Sequence, residues 1–422
     1  MLQVPFIRQN REYVLERLAV KHFGDVGLID DVITLDDRRK NLTFQYDQIK
    51  ASVNTASKEI GQLLAKGEKE KAEARKQEVA GQSAGLGPIE DALARVEKEI
   101  QAILVRIPNL PSPQVPIGRT PEDNVVVRTG GVRPTLPAKA LPHWELARKY
   151  QLIDFELGTK ITGSGFPVYI NRGAKFQRAL IQYFLDYNTE SGYKEYQVPH
   201  MVNEASAYGT GQLPDKEAQM YVVPEDGFYL IPTAEVPLTN IYRDEILKES
   251  DLPVRMTGYT PCFRREAGSY GKDVRGLNRL HQFDKVELVQ LVTPEKSYDV
   301  LEEMVAHVER LLQSLQLEYR ILRLCGGDMG FTSALTYDFE VYSAAQERWL
   351  EVSSVSNFEA YQTNRCKIRY KDAKGKTQLL HSLNGSSLAL PRIVACLLEN
   401  HQTEEGIALP EALHRYYGGI AI

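Results

Sequence analysis

Apolar residues in the first quarter of the chain recur alternately every four and every three positions. One run spans residues 28–63, interrupted only by Arg39, and a second spans residues 72–103. This heptad pattern predicts two long helices whose apolar stripes face each other. Gly67, in a lysine-rich segment between the runs, indicates a turn, so we predict an antiparallel helical hairpin. The repeat positions are Leu28, Val32, Leu35, Leu42, Tyr46, Ile49, Val53, Ala56, Ile60 and Leu63, then Ala72, Val79, Leu86, Ile89, Leu93, Val96, Ile100 and Ile103.

Two features qualify this hairpin. Its two stripes leave little apolar surface for a globular core, which favours a projecting coiled-coil arm. The alternative is a pair of long helices packed on a larger domain. The second run also contains Gly85-Leu86-Gly87-Pro88. Because proline lacks an N–H and clashes with the preceding turn, we expect a kink or a break there.

The pattern changes after residue 106. Five prolines fall within residues 107–125, which predicts a stiff linker and a domain boundary. We therefore expect an N-terminal domain at 1–106 and a second domain at 126–422. Its apolar patterns predict helices at 175–188, 297–315 and 392–400, and strands at 193–202, 229–231, 256–263, 283–292 and 349–354. Without regular βαβ alternation, they favour an α+β fold with an antiparallel sheet flanked by helices.

Composition excludes several classes of protein. The 422 residues contain no apolar run long enough to span a membrane, and the N-terminus reads as an amphipathic helix instead of a signal peptide. The four cysteines are far apart, which argues against a disulfide framework or a zinc site and fits a reducing cytoplasm. A net charge of −5 gives no global sign of nucleic-acid binding, although a local basic patch can supply phosphate contacts.

Residues 261–290 carry the most distinctive chemistry. Two strand-like ends enclose a polar run, with Arg264 at the end of the first strand. Phe283 and Glu287 share a face of the second strand because side chains alternate with a period of two. An aromatic ring and a carboxylate opposite an arginine would suit a purine nucleotide and an ammonium-bearing substrate. A surface hairpin with scattered charges is the alternative.

Other candidate groups are weaker in isolation. The chain has neither a GxxxxGK[ST] loop nor a GxGxxG turn after a strand, so a nucleotide would depend on arginines such as Arg264 and Arg392. Glu351, followed by Ser353 and Ser354, suits Mg²⁺, which prefers oxygen ligands. Taken alone, a surface position is favoured for each of these residues. Residues 384–387 could contact a small substrate or form a turn, residues 233–235 could be a helix cap, and we interpret both His143 and His281 as structural.

Three segments together resemble the motifs of class II aminoacyl-tRNA synthetases. The first motif matches the helix at 175–188 followed by YKEYQVP with Pro199, the second TGYTPCFRREAG with HQFDKVELV, and the third LNGSSLALPR. The N-terminal hairpin, PHWELARKYQLIDFE, the triplet TAE and EVSSVSNFEAYQTNR resemble the seryl-tRNA synthetase family in particular. The resemblance covers nearly the whole chain. It is to the common, zinc-free form of the family.

The resemblance implies a nucleotide site. Arg264 would bind the α-phosphate of ATP and the substrate carboxylate, Glu266 the adenine amino group, and Phe283 the adenine ring. Arg392 would bind the γ-phosphate or stack on the adenine, and together with Arg264 and Glu351 would be catalytic. Glu351 and Ser354 would hold Mg²⁺. The remaining implied ATP contacts are Arg265, Leu280, Val352 and Ser353.

It also implies a substrate and partners. The serine pocket would be lined by Thr233, Ala234, Glu235, Glu287 and Ser386. The expected reaction is ATP-dependent attachment of L-serine to tRNA(Ser) through seryl-adenylate, and to tRNA(Sec) where the host has it. The arm would grip tRNA through a basic face at Lys66, Lys69, Lys71, Arg75 and Lys76. A cytoplasmic homodimer would form around Pro199. The alternatives are a paralogue that loads a carrier protein, which would lack this arm, and a non-catalytic coiled-coil protein.

Overall fold

The computed structural model describes residues 1–215, 217–267 and 275–422. These residues form two compact units. The first comprises Met1–Ala19 and Phe23–Pro108, and the second comprises Val20–His22 and Asn109–Ile422. In the described residues no helix is both long and apolar enough to cross a membrane.

The first unit is helical. Its helices are α1 (Val4–Gln9), α2 (Arg11–Val20), α3 (Gly27–Ala65), α4 (Lys69–Ala84) and α5 (Leu86–Leu104). With 39 residues, α3 is about 58 Å long at the usual rise per residue. It packs against both α4 and α5, which confirms the antiparallel hairpin. Gly67 turns the chain with a φ of 77°, a left-handed conformation that glycine adopts without a steric penalty.

Arg39, the residue that interrupts the apolar repeat, is explained by a buried carboxylate one turn earlier. Asp36 is only 3% exposed. Its Oδ1 atom lies 2.8 Å from Nη2 of Arg39, and its Oδ2 atom lies 3.0 Å from Nζ of Lys40. Arg8 of α1 adds a third cation at 3.5 Å. The polar interruption is therefore a compensated ion cluster between α1 and the base of the hairpin.

The predicted break in the second arm of the hairpin is confirmed. Helix α4 ends at Ala84 and α5 begins at Leu86, with Gly85 between them. Pro88 lies in the first turn of α5, where the N–H that proline lacks would have had no partner within the helix. The Gly-Pro sequence thus lies at the junction where α4 ends and α5 begins.

The proline-rich segment contains no α-helix between residues 105 and 124, as predicted. It is nevertheless packed against the second unit at its start. Asn109 is 3% exposed, and its side-chain amide donates to the carbonyl oxygens of Thr332 and Phe358 at 2.9 and 2.8 Å. This part of the segment is held in place by hydrogen bonds.

The second unit is built on an eight-stranded sheet, which confirms the α+β fold. The strand order is β1 (Val125–Gly130), β11 (Tyr319–Arg323), β12 (Leu335–Ser343), β13 (Arg348–Asn357), β16 (His381–Ala389), β10 (Gln282–Val292), β9 (Val254–Phe263) and β4 (Lys194–Glu195). All neighbours pair antiparallel except β4 with β9. Short strands form three smaller sheets: β2 (Ile153–Asp154) with β3 (Val168–Tyr169); β5 (Met201–Asn203), β6 (Val222–Val223) and β7 (Phe228–Leu230); and β8 (Ile246–Lys248), β14 (Arg369–Lys371) and β15 (Thr377–Leu379).

Amphipathic helices cover the large sheet and bury its apolar side chains. The long ones, α8 (Asn171–Glu190), α11 (Ser297–Ser314) and α13 (Leu390–Asn400), correspond to the three predicted helices. All three contribute to one apolar core with β10, β12 and β13. The shorter helices are α6 (His143–Lys149), α7 (Phe155–Ile161), α9 (Glu204–Thr210), α10 (Glu235–Asn240), α12 (Tyr361–Cys366) and α14 (Glu411–Tyr417).

The single strand predicted at 193–202 is wrong. The segment contains two short strands, β4 and β5, which belong to different sheets. Pro199 lies between them and cannot donate to a strand neighbour, so the ladder that begins beside β9 cannot continue through it. The apolar pattern correctly indicates strands in this segment, but Pro199 divides them into two.

Candidate active site

A cavity of about 500 Å³ lies on the large sheet of the second unit. Its walls come from β10, β13 and β16, the residues just after β9, and the first turn of α13. The cavity brings together most of the side chains singled out from the sequence: Thr233, Glu235, Arg264, Glu266, Leu280, Phe283, Glu351, Val352, Ser353, Ser354, Ser386 and Arg392.

Three predicted residues do not line this cavity. Ala234 is fully buried in a neighbouring apolar cluster at the start of α10. Arg265 follows β9, and its backbone N–H donates to the carbonyl of Gln219 at 2.9 Å. Glu287 is 1% exposed and lies beneath the surface, where it contacts Thr233. The part of the distinctive stretch from Gly268 to Val274 lies outside the described residues.

Strand register places the aromatic and acidic groups as the alternation of side chains predicted. Glu287 of β10 stands opposite Gly258 of β9 on one side and Ser386 of β16 on the other. Arg264, the residue that follows the end of β9, places its guanidinium over the ring of Phe283, with Cζ 5.2 Å from the ring centroid. Nε of Arg264 donates to the carbonyl of Pro232 at 3.3 Å. The arginine thus bridges an aromatic wall and the turn that carries Thr233.

The floor near Thr233 is a compact charged cluster. Lys285 donates from Nζ to Thr233 Oγ1 at 2.8 Å and forms an ion pair with Glu287 Oε2. Thr233 in turn donates to Glu287 Oε2 at 3.1 Å. The second carboxylate oxygen of Glu287, Oε1, is buried and has no hydrogen-bond partner among the described residues. A buried acceptor without a partner is costly, so it suits a donor brought by a ligand.

Glu235 adds a second buried carboxylate to this floor. Gln362 donates to its Oε1 atom at 2.6 Å. Burial, reinforced by the charge of Glu287, raises the pKa of Glu235 to about 7. Burial also raises the pKa of Glu287, although Lys285 opposes that shift. Two buried carboxyl groups on this floor offer acceptors for a ligand with an ammonium group.

Lys285 is the main residue that sequence reasoning missed. It stands between Phe283 and Glu287 on the same face of β10, so the period of two that selected its neighbours would also have selected it. A lysine in a strand suggests a solvated surface charge, whereas this one is only 6% exposed. The other overlooked lining residues include Gln212, Glu217, Gln219, Asn278, Arg279 and Ser356.

The opposite wall of the cavity carries Arg392 and Glu351. Nη1 of Arg392 donates to the backbone carbonyl of Glu351 at 2.7 Å and lies 3.6 Å from its Oε2 atom. Ser354, three residues further on, pairs across the strands with Asp338 of β12. Burial raises the pKa of Asp338 well above its usual range. No group of three or more His, Cys, Asp or Glu side chains among the described residues could hold a metal ion unaided.

The remaining residues singled out from the sequence make contacts within the protein. Glu266 forms an ion pair with Arg279, whose Nη1 lies 2.9 Å from Glu266 Oε2. His281 makes protein contacts, through Nδ1 with the carbonyl of Arg264 at 3.1 Å and through its ring with Phe166. His143 is buried and bonded to Glu399. The cavity therefore offers cationic, aromatic and acidic groups at distinct positions, as a nucleotide and an amino acid bound side by side would require.

Comparison with known proteins agrees with this geometry. Residues 1–111 match a family described as the seryl-tRNA synthetase N-terminal domain, and residues 221–401 match the tRNA synthetase class II core domain (G, H, P, S and T). A serine–tRNA ligase from Salinibacter ruber is 50% identical, covering 99% of this chain and 98% of the relative. One from Methylacidiphilum infernorum is 48% identical, covering 99% of both. The crystal structure of seryl-tRNA synthetase from Pyrococcus horikoshii complexed with ATP is 32% identical, with a TM-score of 0.91 and full coverage of both chains.

Proposed function

The chain belongs to the seryl-tRNA synthetase family, and on that premise we propose that its cavity joins L-serine and ATP into seryl-adenylate before tRNA is charged. The family makes it an aminoacyl-tRNA synthetase that ligates serine to tRNA. The observation that supports the adenylate step is that one cavity has Arg264, Glu351 and Arg392 on its walls and Thr233 and Glu235 on its floor.

In the first step the serine carboxylate attacks the α-phosphorus, a new P–O bond forms, and pyrophosphate leaves. Arg264 would neutralise charge on both the carboxylate and the α-phosphate, while Phe283 packs against the adenine. Glu266, Leu280, Val352 and Ser353, which line the cavity, would complete the nucleotide contacts, whereas Arg265 does not line it. Such a reaction depends on positioning and charge stabilisation, so it needs no protein nucleophile. In the second step a hydroxyl of the terminal ribose of tRNA takes the seryl group and AMP leaves.

Glu351 and Ser354 would hold Mg²⁺ together with ATP. Both line the cavity, and both offer the oxygen ligands that Mg²⁺ prefers. Since the protein supplies so few ligands, phosphate oxygens would complete the coordination shell. The ion would contribute neutralisation of phosphate charge. We propose no zinc in the serine site, in line with the common form of the family.

Serine would bind with its ammonium at Glu235 and its hydroxyl at the unpaired Oε1 atom of Glu287. Ser386, opposite Glu287 in the sheet, and Thr233 would complete the pocket, backed by Ala234. Alanine lacks the hydroxyl and would leave the buried oxygen of Glu287 without a partner, which is a strong basis for rejection. Threonine would be excluded by the size of the pocket.

The first test is amino-acid-dependent ATP–pyrophosphate exchange with the unmodified enzyme. We expect exchange with serine and at least about 100-fold lower kcat/KM with alanine and threonine, since alanine lacks the buried hydrogen bond and the additional methyl group of threonine exceeds the size of the pocket. The same rates should be obtained after dialysis against a zinc chelator in the presence of Mg²⁺. Comparable exchange with all three amino acids would contradict the serine assignment.

A second prediction concerns pH. Because the pKa of Glu235 is raised to about 7, its carboxylate is present above that pH and is lost as the pH falls through it. The kcat/KM for serine should therefore decrease on the acid side with a midpoint near this value. Replacing Gln362 with leucine removes a hydrogen bond that favours the carboxylate. The midpoint should then move to higher pH by about one unit, and a midpoint that stays unchanged or moves lower would contradict the role of Glu235.

We assign a separate role to each part of the chain. Residues 1–106 would bind tRNA, residues 107–125 would link the domains, and residues 126–422 would be catalytic. The chain would act as a cytoplasmic homodimer, with Pro199 and α8 at the interface. Its RNA partner would be tRNA(Ser), and tRNA(Sec) where the host has it, which charging of both transcripts would test. A paralogue that loads a carrier protein would lack the N-terminal domain that this chain carries.

A further inference from the structure

We propose that His143 and Glu399 are a positioning pair that holds residues 276–280, one wall of the ATP cavity, through the backbone N–H of Leu277. This inference rests on the proposed function only in identifying ATP as the occupant of the cavity. Leu277, Asn278, Arg279 and Leu280 all line that cavity. Neither His143 nor Glu399 reaches it, so their effect would be indirect.

The hydrogen bonds of His143 define its protonation. Both His143 and Glu399 are fully buried. The Leu277 N–H donates to Nε2 of His143 at 2.8 Å, so this nitrogen must be an acceptor and carry no proton. The proton is then on Nδ1, which lies 2.7 Å from Oε1 of Glu399. The imidazole is thus fixed as one neutral tautomer, with the carboxylate orienting the ring and the other nitrogen holding the loop.

The backbone next to Leu277 is adapted to this contact. Gly276 has a φ of 65°, and a Cβ atom added there would lie 2.2 Å from Nε2 of His143. Any side chain at this position would displace the imidazole. On the other side of Gly276, the guanidinium of Arg275 lies over the ring of Trp144, 4.4 Å from its centroid. The start of α6 therefore holds three successive residues of the loop, Arg275, Gly276 and Leu277.

Glu399 is held by more than the histidine. It also accepts from the backbone N–H of His143 at 2.9 Å, from the Ser343 hydroxyl, and from Nε2 of Gln346 at 3.0 Å. Oε1 of Gln346 in turn accepts from the side-chain amide of Asn278 at 2.9 Å. A second chain of hydrogen bonds thus runs from the same carboxylate to the same cavity wall.

Helix α13 connects this pair to a residue of the ATP site. Arg392 and Glu399 are seven residues apart on α13, which places them about two turns apart on one face. Nε of Arg392 donates to the carbonyl of Asn278 at 2.9 Å. Helix α13 therefore holds residues 277–278 through two sets of hydrogen bonds. Arg392 bonds Asn278 directly, and Glu399 acts on Leu277 through His143. Loss of the indirect contact should disturb the wall and Arg392 together.

Two substitutions of His143 separate the proposed role from a purely structural one. The amide of glutamine can place an oxygen near the Nε2 position, so His143→Gln keeps the acceptor for Leu277. The shorter asparagine can place its nitrogen near Nδ1, so His143→Asn keeps the donor to Glu399 but leaves the Leu277 N–H without a partner. We expect His143→Gln to keep the KM for ATP within about threefold of the original, and His143→Asn to raise it at least about tenfold, the usual size of a lost buried hydrogen bond. The KM for serine should change little in either variant, because Thr233, Glu235 and Glu287 do not contact residues 276–280 in the hydrogen bonds described above.

Hydrogen exchange of the Leu277 amide, followed in a peptide spanning residues 275–280, provides a readout that does not depend on activity. Protection should be retained in His143→Gln and lost in His143→Asn, with thermal unfolding showing that both variants are folded. Equal protection and equal KM values for ATP in the two variants would overturn the proposal, as would greater damage from glutamine than from asparagine. If the unmodified enzyme showed no serine-dependent exchange, the proposed function would fail, while the amide protection would still decide whether His143 holds the loop.

Discussion

Replacing Arg264 with alanine is expected to reduce serine-dependent ATP–pyrophosphate exchange by about 10³-fold or more, which corresponds to about 4 kcal/mol of transition-state stabilisation. The proposed reaction joins two anions, and Arg264 is the cation placed between their sites. Its guanidinium lies over Phe283, and its Nε is fixed by the carbonyl of Pro232, next to Thr233. Lys285 also lies beside Thr233, but it is paired with Glu287.

The expected kinetic pattern distinguishes a role in chemistry from one in substrate binding. Arg264→Ala should lower kcat as well as raise both KM values, because the charge it stabilises is greatest in the transition state. Arg264→Lys should recover only part of the activity, since an ammonium cannot reproduce the planar, bidentate contacts of a guanidinium. Arg255→Ala is a matched control from β9, the strand that ends one residue before Arg264: its side chain pairs with Glu303 at 3.5 Å and does not line the cavity. Exchange retained within about tenfold in Arg264→Ala would show that Arg264 is not the bridging cation.

The groups around Arg264 show which parts of a site a sequence can predict. Phe283 and Glu287 were identified by alternation along one strand, and the register of β10 confirms that they share a face. Alternation is a local property, so it survives whatever the strand packs against. It does not report burial, which is why Lys285 on the same face was overlooked. Lys285 becomes a buried site residue because Thr233, which is distant in sequence, contacts it together with Glu287 of the same strand.

Contacts between distant segments account for the other differences. Gln212, Glu217 and Gln219 line the cavity from a segment with no periodic pattern, so only the folded chain shows that they belong there. Asp338 is distant from Ser354 in sequence, yet the two residues stand opposite each other because β12 and β13 pair antiparallel. By contrast, the helical hairpin depends on one repeat within one segment. It could be predicted in detail, including the break at Gly85.

Removing the outer part of that hairpin is expected to reduce charging of tRNA(Ser) by at least about 100-fold in kcat/KM, about 2.7 kcal/mol, while serine-dependent exchange stays within about twofold. The hairpin can be cut cleanly because its two arms are in register. The Tyr46 hydroxyl donates to Glu90 at 2.8 Å and the Ser52 hydroxyl to Gln82 at 3.0 Å. Deleting residues 38–98 and closing the gap with a short glycine-serine turn therefore removes both arms at the same level.

Charging that falls while exchange is retained would identify a specific defect in tRNA binding, because a general loss of folding would reduce both activities. Exchange requires only the cavity of the second unit, whereas charging also requires tRNA to be held. A shorter deletion of residues 52–82 refines the test, since it leaves Arg39 and Lys40 paired with the buried Asp36. It also removes the proposed basic face, in which Lys71, Arg75 and Lys76 are already paired with nearby glutamates. Loss of charging in both deletions would assign tRNA binding to the outer hairpin, loss in the longer one alone would assign it to the base, and charging that survives both would contradict any role of the hairpin in holding tRNA.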